Sequence, residues 1–501
     1  MGKKIVLLPL DERPCNMNFP ERLFSDGAIN IVKPEKLGEK KTPADFDAIK
    51  DFLYRECKDA DGLVISLDML LYGGLVPSRI HKHEKEELVS RTEVIKKIRE
   101  INPEILIYGF NVIMRCPNYS SDDEEPDYYL FCGKEIHDLG EAIHKSRNGI
   151  KSEISVDKAA EQVDKRILED YINRRAINRY MNVEVLQLAR EGFIDGLVIP
   201  QDDSAAYGYA AMDQEAVREK IAEYGLSDKV LIYPGADEVE LTLISRMINT
   251  FSDRRPKIYP WFFSEEAKRI VPLYEGAELI NTVLNHIKSA GCEAVYDIEK
   301  ADIVLYLTAP SGQMREAVSQ PAETDGYRSR DLKGLIESIN EAKNAGKIAV
   351  MADNAYANGG DLEIIGLLDK NRMLLTLDGY AGWNTSANTL GTTLAEAVFV
   401  YHFGKKADYE GFMIERYLED AGYCGKIRGE VTDDLPESGM TYFDVKDRDG
   451  IVSHIVSDRL RDYLHRHLRS IESDVKDIHV TMPWKRMFEI DLRVQTEQEE
   501  I

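Results

Sequence analysis

Short apolar runs recur along the chain, bounded by turn residues and separated by stretches of helical length. This alternation constrains the fold more than any other feature. The runs occupy Lys4 to Leu10, Gly62 to Leu67, Ile105 to Ile113, Gly196 to Ile199, Val230 to Tyr233, Ile258 to Phe262, Ile303 to Leu307, Ile348 to Met351 and Leu374 to Leu377. Runs of this kind read as parallel strands covered on both faces. Helical patterns lie between them, over Glu86 to Glu100, Val156 to Glu191, Ala216 to Tyr224, Val239 to Asn249, Ala277 to Ala290, Leu332 to Asn344 and Leu362 to Asp369. Strand alternating with helix predicts an α/β fold with a mostly parallel sheet. Two strands share one spelling, "DGLVISLD" from Asp61 and "DGLVIPQDD" from Asp195. Each ends in carboxylate, at Asp68 and at Asp202 and Asp203, so equivalent positions in one sheet are expected.

Polar residues follow almost every strand, which favours a (β/α)8-like barrel over residues 1–404. The nine candidate strands exceed the eight a closed barrel holds. Two doubly wound α/β domains are therefore the alternative. Residues 405–501 read as a mainly helical extension packed on the main domain. Its end, "MFEIDLRVQ", alternates Phe488, Ile490, Leu492 and Val494 with charges, the pattern of a half-buried strand.

A formal charge of −25 over 501 residues repels phosphate backbones, so no nucleic-acid partner is expected. The six cysteines form no CxxC pair, which argues against a disulfide framework or a structural zinc. "MGKKIVLLPLDERP" meets acids too soon for a signal segment, and no stretch approaches the roughly eighteen apolar residues of a membrane helix. A cytoplasmic protein with no membrane partner is expected.

The strand ends carry the candidate chemistry. They supply Asp11 and Arg13, Asp68, Asn111, the pair Asp202 and Asp203, Glu238, Asp353 and Asn354, and finally Tyr380, Trp383 and Asn384. In a parallel sheet such positions converge on one face. Acids for proton transfer, amides for hydroxyl groups and an aromatic plane for stacking suit a sugar. Acids after strands also cap helices, and Asp237 and Asp361 read well that way. Asp202 and Asp203 have no clean helix start behind them. Adjacent like charges at a buried strand end raise at least one pKa, a route to a proton donor near neutral pH. Arg13, set between Pro9 and Pro14, pairs with Asp11 or a neighbouring acid, or clamps an anion. "SSDDEEPDYY", between Arg115 and Tyr129, reads as an acidic exposed loop.

No GxGxxG follows a strand, and Walker, HExxH and GxSxG patterns are missing, so no cofactor is expected. Asp11, Asp68, Asp202, Asp203 and Asp353 would suit an oxygen-ligated divalent ion if they met. A metal-dependent hydrolase or isomerase is thus one alternative, and a non-catalytic sugar-binding protein another.

Four segments, "LLPLDERPCN", "LDMLLYGGLVPSR", "IPQDDSAAYG" and "DGYAGWNTSANTLGT", are similar to a bacterial protein family known as a domain of unknown function, which opens with the PLDERP motif. The likeness implies no activity. The acid pair after the fourth strand also resembles that of barrel-type, substrate-assisted hexosaminidases, where the substrate's acetamido oxygen is the nucleophile. That resemblance implies that Asp202 orients the acetamido group and Asp203 protonates the leaving oxygen, with Tyr380, Trp383 and Asn384 lining the sugar subsite. The expected function is a glycoside hydrolase acting on a small glycan or glycoside, with an N-acetylhexosaminidase as its sharpest form.

Overall fold

A computed structural model describes residues 2–25 and 28–496. The fold is mixed α/β with parallel sheets, and the chain divides into two compact units. The first is Met1–Glu240 with Tyr274–Gly276, and the second is Leu241–Leu273 with Ala277–Ile501.

The first unit is built on β1 (Lys3–Leu8), β2 (Ile29–Val32), β3 (Gly62–Ser66), β4 (Leu106–Phe110), β5 (Gly196–Gln201) and β6 (Val230–Pro234). The order is β2-β1-β3-β4-β5-β6, and every pairing is parallel. Ile65 lies opposite Leu8 on one side and Gly109 on the other. All five residues of β3 are buried, because helices cover both faces. Each buried Val or Ile there contributes about 1.5–3 kcal/mol. The helices Lys85–Ile101 and Lys165–Arg190 add Leu88, Ile95, Ile98, Val185 and Leu186 to this core. The helical pattern over 156–191 is broken in the structure. Asp164 caps a new helix by accepting the Arg166 N–H. β2 lies outside the expected runs, since only "INIV" at a sheet edge carries it.

The second unit has β7 (Lys257–Phe262), β8 (Glu293–Ala294), β9 (Ile303–Leu307), β10 (Ile348–Ala352) and β11 (Gly379–Ala381), ordered β11-β10-β9-β7-β8 and again parallel. The run Leu374 to Leu377, expected as a strand, is not one. Leu374 and Leu377 are buried in a turn. The Asp378 carboxylate takes the Ala349 N–H at 2.8 Å, so the ladder to β10 starts only at Gly379. The chain closes with an antiparallel ribbon, β12 (Val475–Thr481) and β13 (Asp491–Thr496). Among the described residues, no helix is long and apolar enough to cross a membrane.

Candidate active site

Five strand ends of the first unit deliver polar side chains that interact. After β1, Asp11 accepts from Arg13 Nη2 at 2.7 Å and from Asn16 Nδ2 at 2.8 Å. Arg13 also donates to Asp237 Oδ1 at 2.5 Å, so one guanidinium ties the loop after β1 to the loop after β6. All of these side chains are buried. Burial, with repulsion from Asp11 and Asp202, lifts the Asp237 carboxyl to about 6 against the pull of Arg13. The Leu10 N–H donates to Glu240 at 2.7 Å.

Asp68 sits in the first turn of the helix Leu67–Tyr72, which Ser66 caps. Its Oδ2 accepts the Val112 N–H at 2.8 Å, and burial pushes the carboxyl up to about 7. Asn111 accepts from Asn182 Nδ2 at 2.7 Å and bonds to the Asp68 carboxylate.

The acid pair follows β5. Asp202 Oδ2 accepts from Arg79 Nη2 at 2.6 Å, and Asp203 Oδ2 accepts from Arg115 Nη1 at 2.9 Å. Glu124 Oε2 lies 2.8 Å from Arg79 Nη1 and 3.1 Å from Arg115 Nη2, bridging the two guanidiniums. Glu125 Oε1 accepts from Arg115 Nε at 2.7 Å. The Asp203 backbone is left-handed, with φ of 42°, a strained conformation for a residue with a Cβ and one that recurs at functional sites. Burial and the neighbouring Asp202 raise the Asp203 carboxyl to about 7, although Arg115 and Arg79 oppose the shift. Both side chains keep about a fifth of their surface exposed, so neither is sealed from solvent.

Glu238 serves its own loop. Its Oε2 accepts the Ala236 N–H at 3.0 Å, and its carboxylate lies against Gly235. Gly235 has φ of 131°, and a Cβ there would stand 2.0 Å from Glu238 Oε1. Several buried side-chain atoms of this unit have no hydrogen-bond partner among the described residues: Asn16 Oδ1, Tyr72 Oη, Gln201 Nε2, Glu125 Oε2 and Glu240 Oε2. No group of three or more His, Cys, Asp or Glu side chains among the described residues has an arrangement that would hold a metal ion. Asp11, Asp202 and Asp203 are each bonded to arginine instead.

The remaining expected site residues belong to the second unit. Asp353, after β10, accepts from Thr308 Oγ1 at 2.8 Å, Tyr380 Oη at 2.9 Å and the Asp361 N–H at 2.7 Å. Burial and the nearby Asp361 raise it to about 6. Asn354 Oδ1 accepts the Thr308 and Ala309 N–H groups, both at 3.1 Å. Tyr380 is fully buried and stacks on Tyr417, their centroids 4.5 Å apart. Trp383 is half-buried and donates from Nε1 to Thr392 at 3.1 Å. Asn384 turns left-handed with φ of 50°, and its carbonyl accepts the Asn358 N–H at 2.7 Å. Thr385 then caps the helix Ser386–Phe403. Asp361 caps Leu362–Lys370 and pairs with Arg330 at 2.7 Å. A π-helix, Tyr417–Ile427, brings in Asp420, whose carboxylate takes the Gly382 N–H at 2.8 Å.

The family described as "Protein of unknown function (DUF4127)" matches residues 5–493. The chain belongs to the DUF4127 family. The match runs from β1 into β13, so both sheets fall within it. No curated protein matches the chain.

Sequence reasoning left Arg79, Glu124 and Glu125 out of the DUF4127 candidate site. Arg79 gave one signal, a lone cation in the otherwise uncharged stretch "MLLYGGLVPSRI". Glu124 and Glu125 read as solvated loop acids, but Glu125 is 1% exposed because Arg115 and Arg79 draw the loop inward. Asp237, read as a helix cap, is a partner of Arg13.

Proposed function

We propose that the chain is a glycoside hydrolase acting on a small glycan or glycoside, with Asp203 as the acid/base group and Asp202 as its Arg79-paired neighbour. One observation carries this reading: two adjacent carboxylates stand at one strand end, each on its own arginine, and one of them is raised. Arg79 holds Asp202 at 2.6 Å and Arg115 holds Asp203 at 2.9 Å, while burial and the neighbouring Asp202 push Asp203 up to about 7. A carboxyl raised towards neutral pH beside a second acid suits a proton donor. In its sharper form the enzyme is an N-acetylhexosaminidase. Asp202 then orients the acetamido group, whose oxygen attacks the anomeric carbon, while Asp203 gives its proton to the leaving oxygen.

The reading holds for a closed barrel and for an open doubly wound sheet, since both gather their chemistry at strand C-termini. The Arg13 link between the ends of β1 and β6 supports a curled, barrel-like sheet. We place the activity in the cytoplasm, on a small-molecule or oligosaccharide substrate, without nucleic acid.

The test is Asp203→Asn. Turnover of a glycoside cleaved by the wild type should fall by about 10²–10⁴ with the fold retained. Full activity in that variant rejects the assignment.

A further inference from the structure

The segments that carry the acid pair's partners also wall a cleft of about 480 Å³. Ile80 follows Arg79, and Pro126 follows Glu125. Together with Ile167 these two residues make an apolar wall. The floor is closed by mutual bonds. Arg174 donates to Tyr128 Oη at 3.0 Å, to Asp170 at 2.8 Å and to the His81 carbonyl at 3.0 Å, and Tyr128 donates to Asp170 at 2.8 Å. At the rim, Lys41 pairs with Asp127 at 3.0 Å.

Two lining cations are left over. Lys82 and Arg166 are exposed, and among the described residues neither side chain has a hydrogen-bond or ion-pair partner. The lining as a whole has four cationic side chains (Lys41, Lys82, Arg166, Arg174) against two carboxylates (Asp127, Asp170), on a chain of net charge −25. Local charge of the opposite sign to the whole protein, beside an apolar wall in a concave site, suits an anion with a hydrophobic body. An unpaired guanidinium matches carboxylate or phosphate through two parallel N–H donors.

We propose that this cleft binds a small organic anion. Its carboxylate or phosphate is held by Lys82 and Arg166, and its ring or chain lies against Ile80, Pro126 and Ile167. The proposal does not depend on the hydrolase reading, because none of these residues is assigned to the acid pair. It adds a link to that pair. Ligand packed on Ile80 and Pro126 bears on the backbone that positions Arg79 and Glu125, and Arg79 holds Asp202.

The test is calorimetric titration of the full chain with phenylacetate, phenyl phosphate and benzyl alcohol, using wild type and the double variant Lys82→Glu/Arg166→Glu. At least one charged probe should bind, and benzyl alcohol should not. Preference between the two charged probes tells carboxylate from phosphate. Affinity should fall by about tenfold or more in the double variant, with the melting temperature unchanged. A salt series on the wild type gives a readout that needs no variant, since binding should weaken as sodium chloride rises. Failure of both charged probes to bind at about 10 mM, equal binding by the variant, equal binding of benzyl alcohol, or affinity independent of salt would each overturn the proposal.

Discussion

Asp202 and Asp203 are neighbours in the chain but rest on different arginines, Asp202 on Arg79 at 2.6 Å and Asp203 on Arg115 at 2.9 Å. The backbone at Asp203 is left-handed, with φ of 42°. Arg79 is shared with Glu124 and Arg115 with Glu124 and Glu125, so four carboxylates face two guanidiniums. The excess of negative charge is relieved most simply by one proton, and Asp203, raised to about 7, is placed to hold it.

On the proposed hydrolase reading, that proton sets the pH dependence of activity. With Asp203 acting as the acid, kcat/KM on a cleaved glycoside should fall as pH rises through about 7. Asp203→Glu should retain measurable activity with the descending limb moved, while Asp203→Asn removes the limb along with the activity. Initial rates across pH 5–9, at about one-unit steps, check this. A limb unmoved in Asp203→Glu would assign it to another group.

Stability should fall over the same range. The folded-state pKa values of Asp203, Asp68 and Asp420 are raised from 3.8 to about 7, and those of Asp237 and Asp353 to about 6. The folded state therefore binds more protons than the unfolded state between pH 3.8 and about 7, so these groups lower stability as pH rises through that window. His81 and His402, lowered from 6.5 to about 4, act in the opposite sense, but their effect is complete above 6.5. The melting temperature should drop between about pH 6.5 and 8, and drop less in Asp203→Asn. A melting temperature that rises over that interval contradicts the assignment of protons to these buried acids.

Arg79 should be among the costliest single positions in the first unit. It is 2% exposed and serves Asp202 and Glu124 at once. Arg79→Met leaves both carboxylates short of their charge partner and should cost about 3–5 kcal/mol in urea unfolding. Arg79→Lys keeps the charge but loses the planar fork, and should fall between wild type and Arg79→Met.

In the second unit, Gly360 and Tyr380 should be coupled. A Cβ on Gly360 would lie 2.2 Å from Tyr380 Oη and 3.0 Å from Asp353 Oδ2. Gly360→Ala should cost about 1–3 kcal/mol through overpacking. Tyr380→Phe, which removes a hydrogen bond to Asp353, should also cost about 1–3 kcal/mol. Combined, the two should cost less than their sum, because the clashing oxygen is gone. A double-mutant cycle on unfolding free energies measures the difference.

Local pattern carried the sheets well where strands are covered on both faces. "GLVIS" and "GLVIPQ" became β3 and β5, short runs with β-branched residues that suit a parallel strand buried on both faces. It failed at β2, a short edge strand, and at Leu374 to Leu377, where burial in a turn imitates burial in a strand. The strand-end acids were legible because only a few residues separate them from their strands. Their arginines were not. Arg79 meets Asp202 across 123 positions, and Arg13 meets Asp237 across 224. Ion pairs of that span leave no periodic trace in the sequence. Glu124 and Glu125 were misread because their burial is decided by guanidiniums outside the acidic run, Arg79 and Arg115.

The most direct measurement is the ionisation of Asp203 itself, by infrared difference spectroscopy of wild type against Asp203→Asn as a function of pH. A protonated-carboxyl band lost in the variant, and titrating in the wild type with a midpoint near 7, is the predicted result. A midpoint near the ordinary 3.8 would mean that Asp203 is an anion at neutral pH and would contradict its role as proton donor.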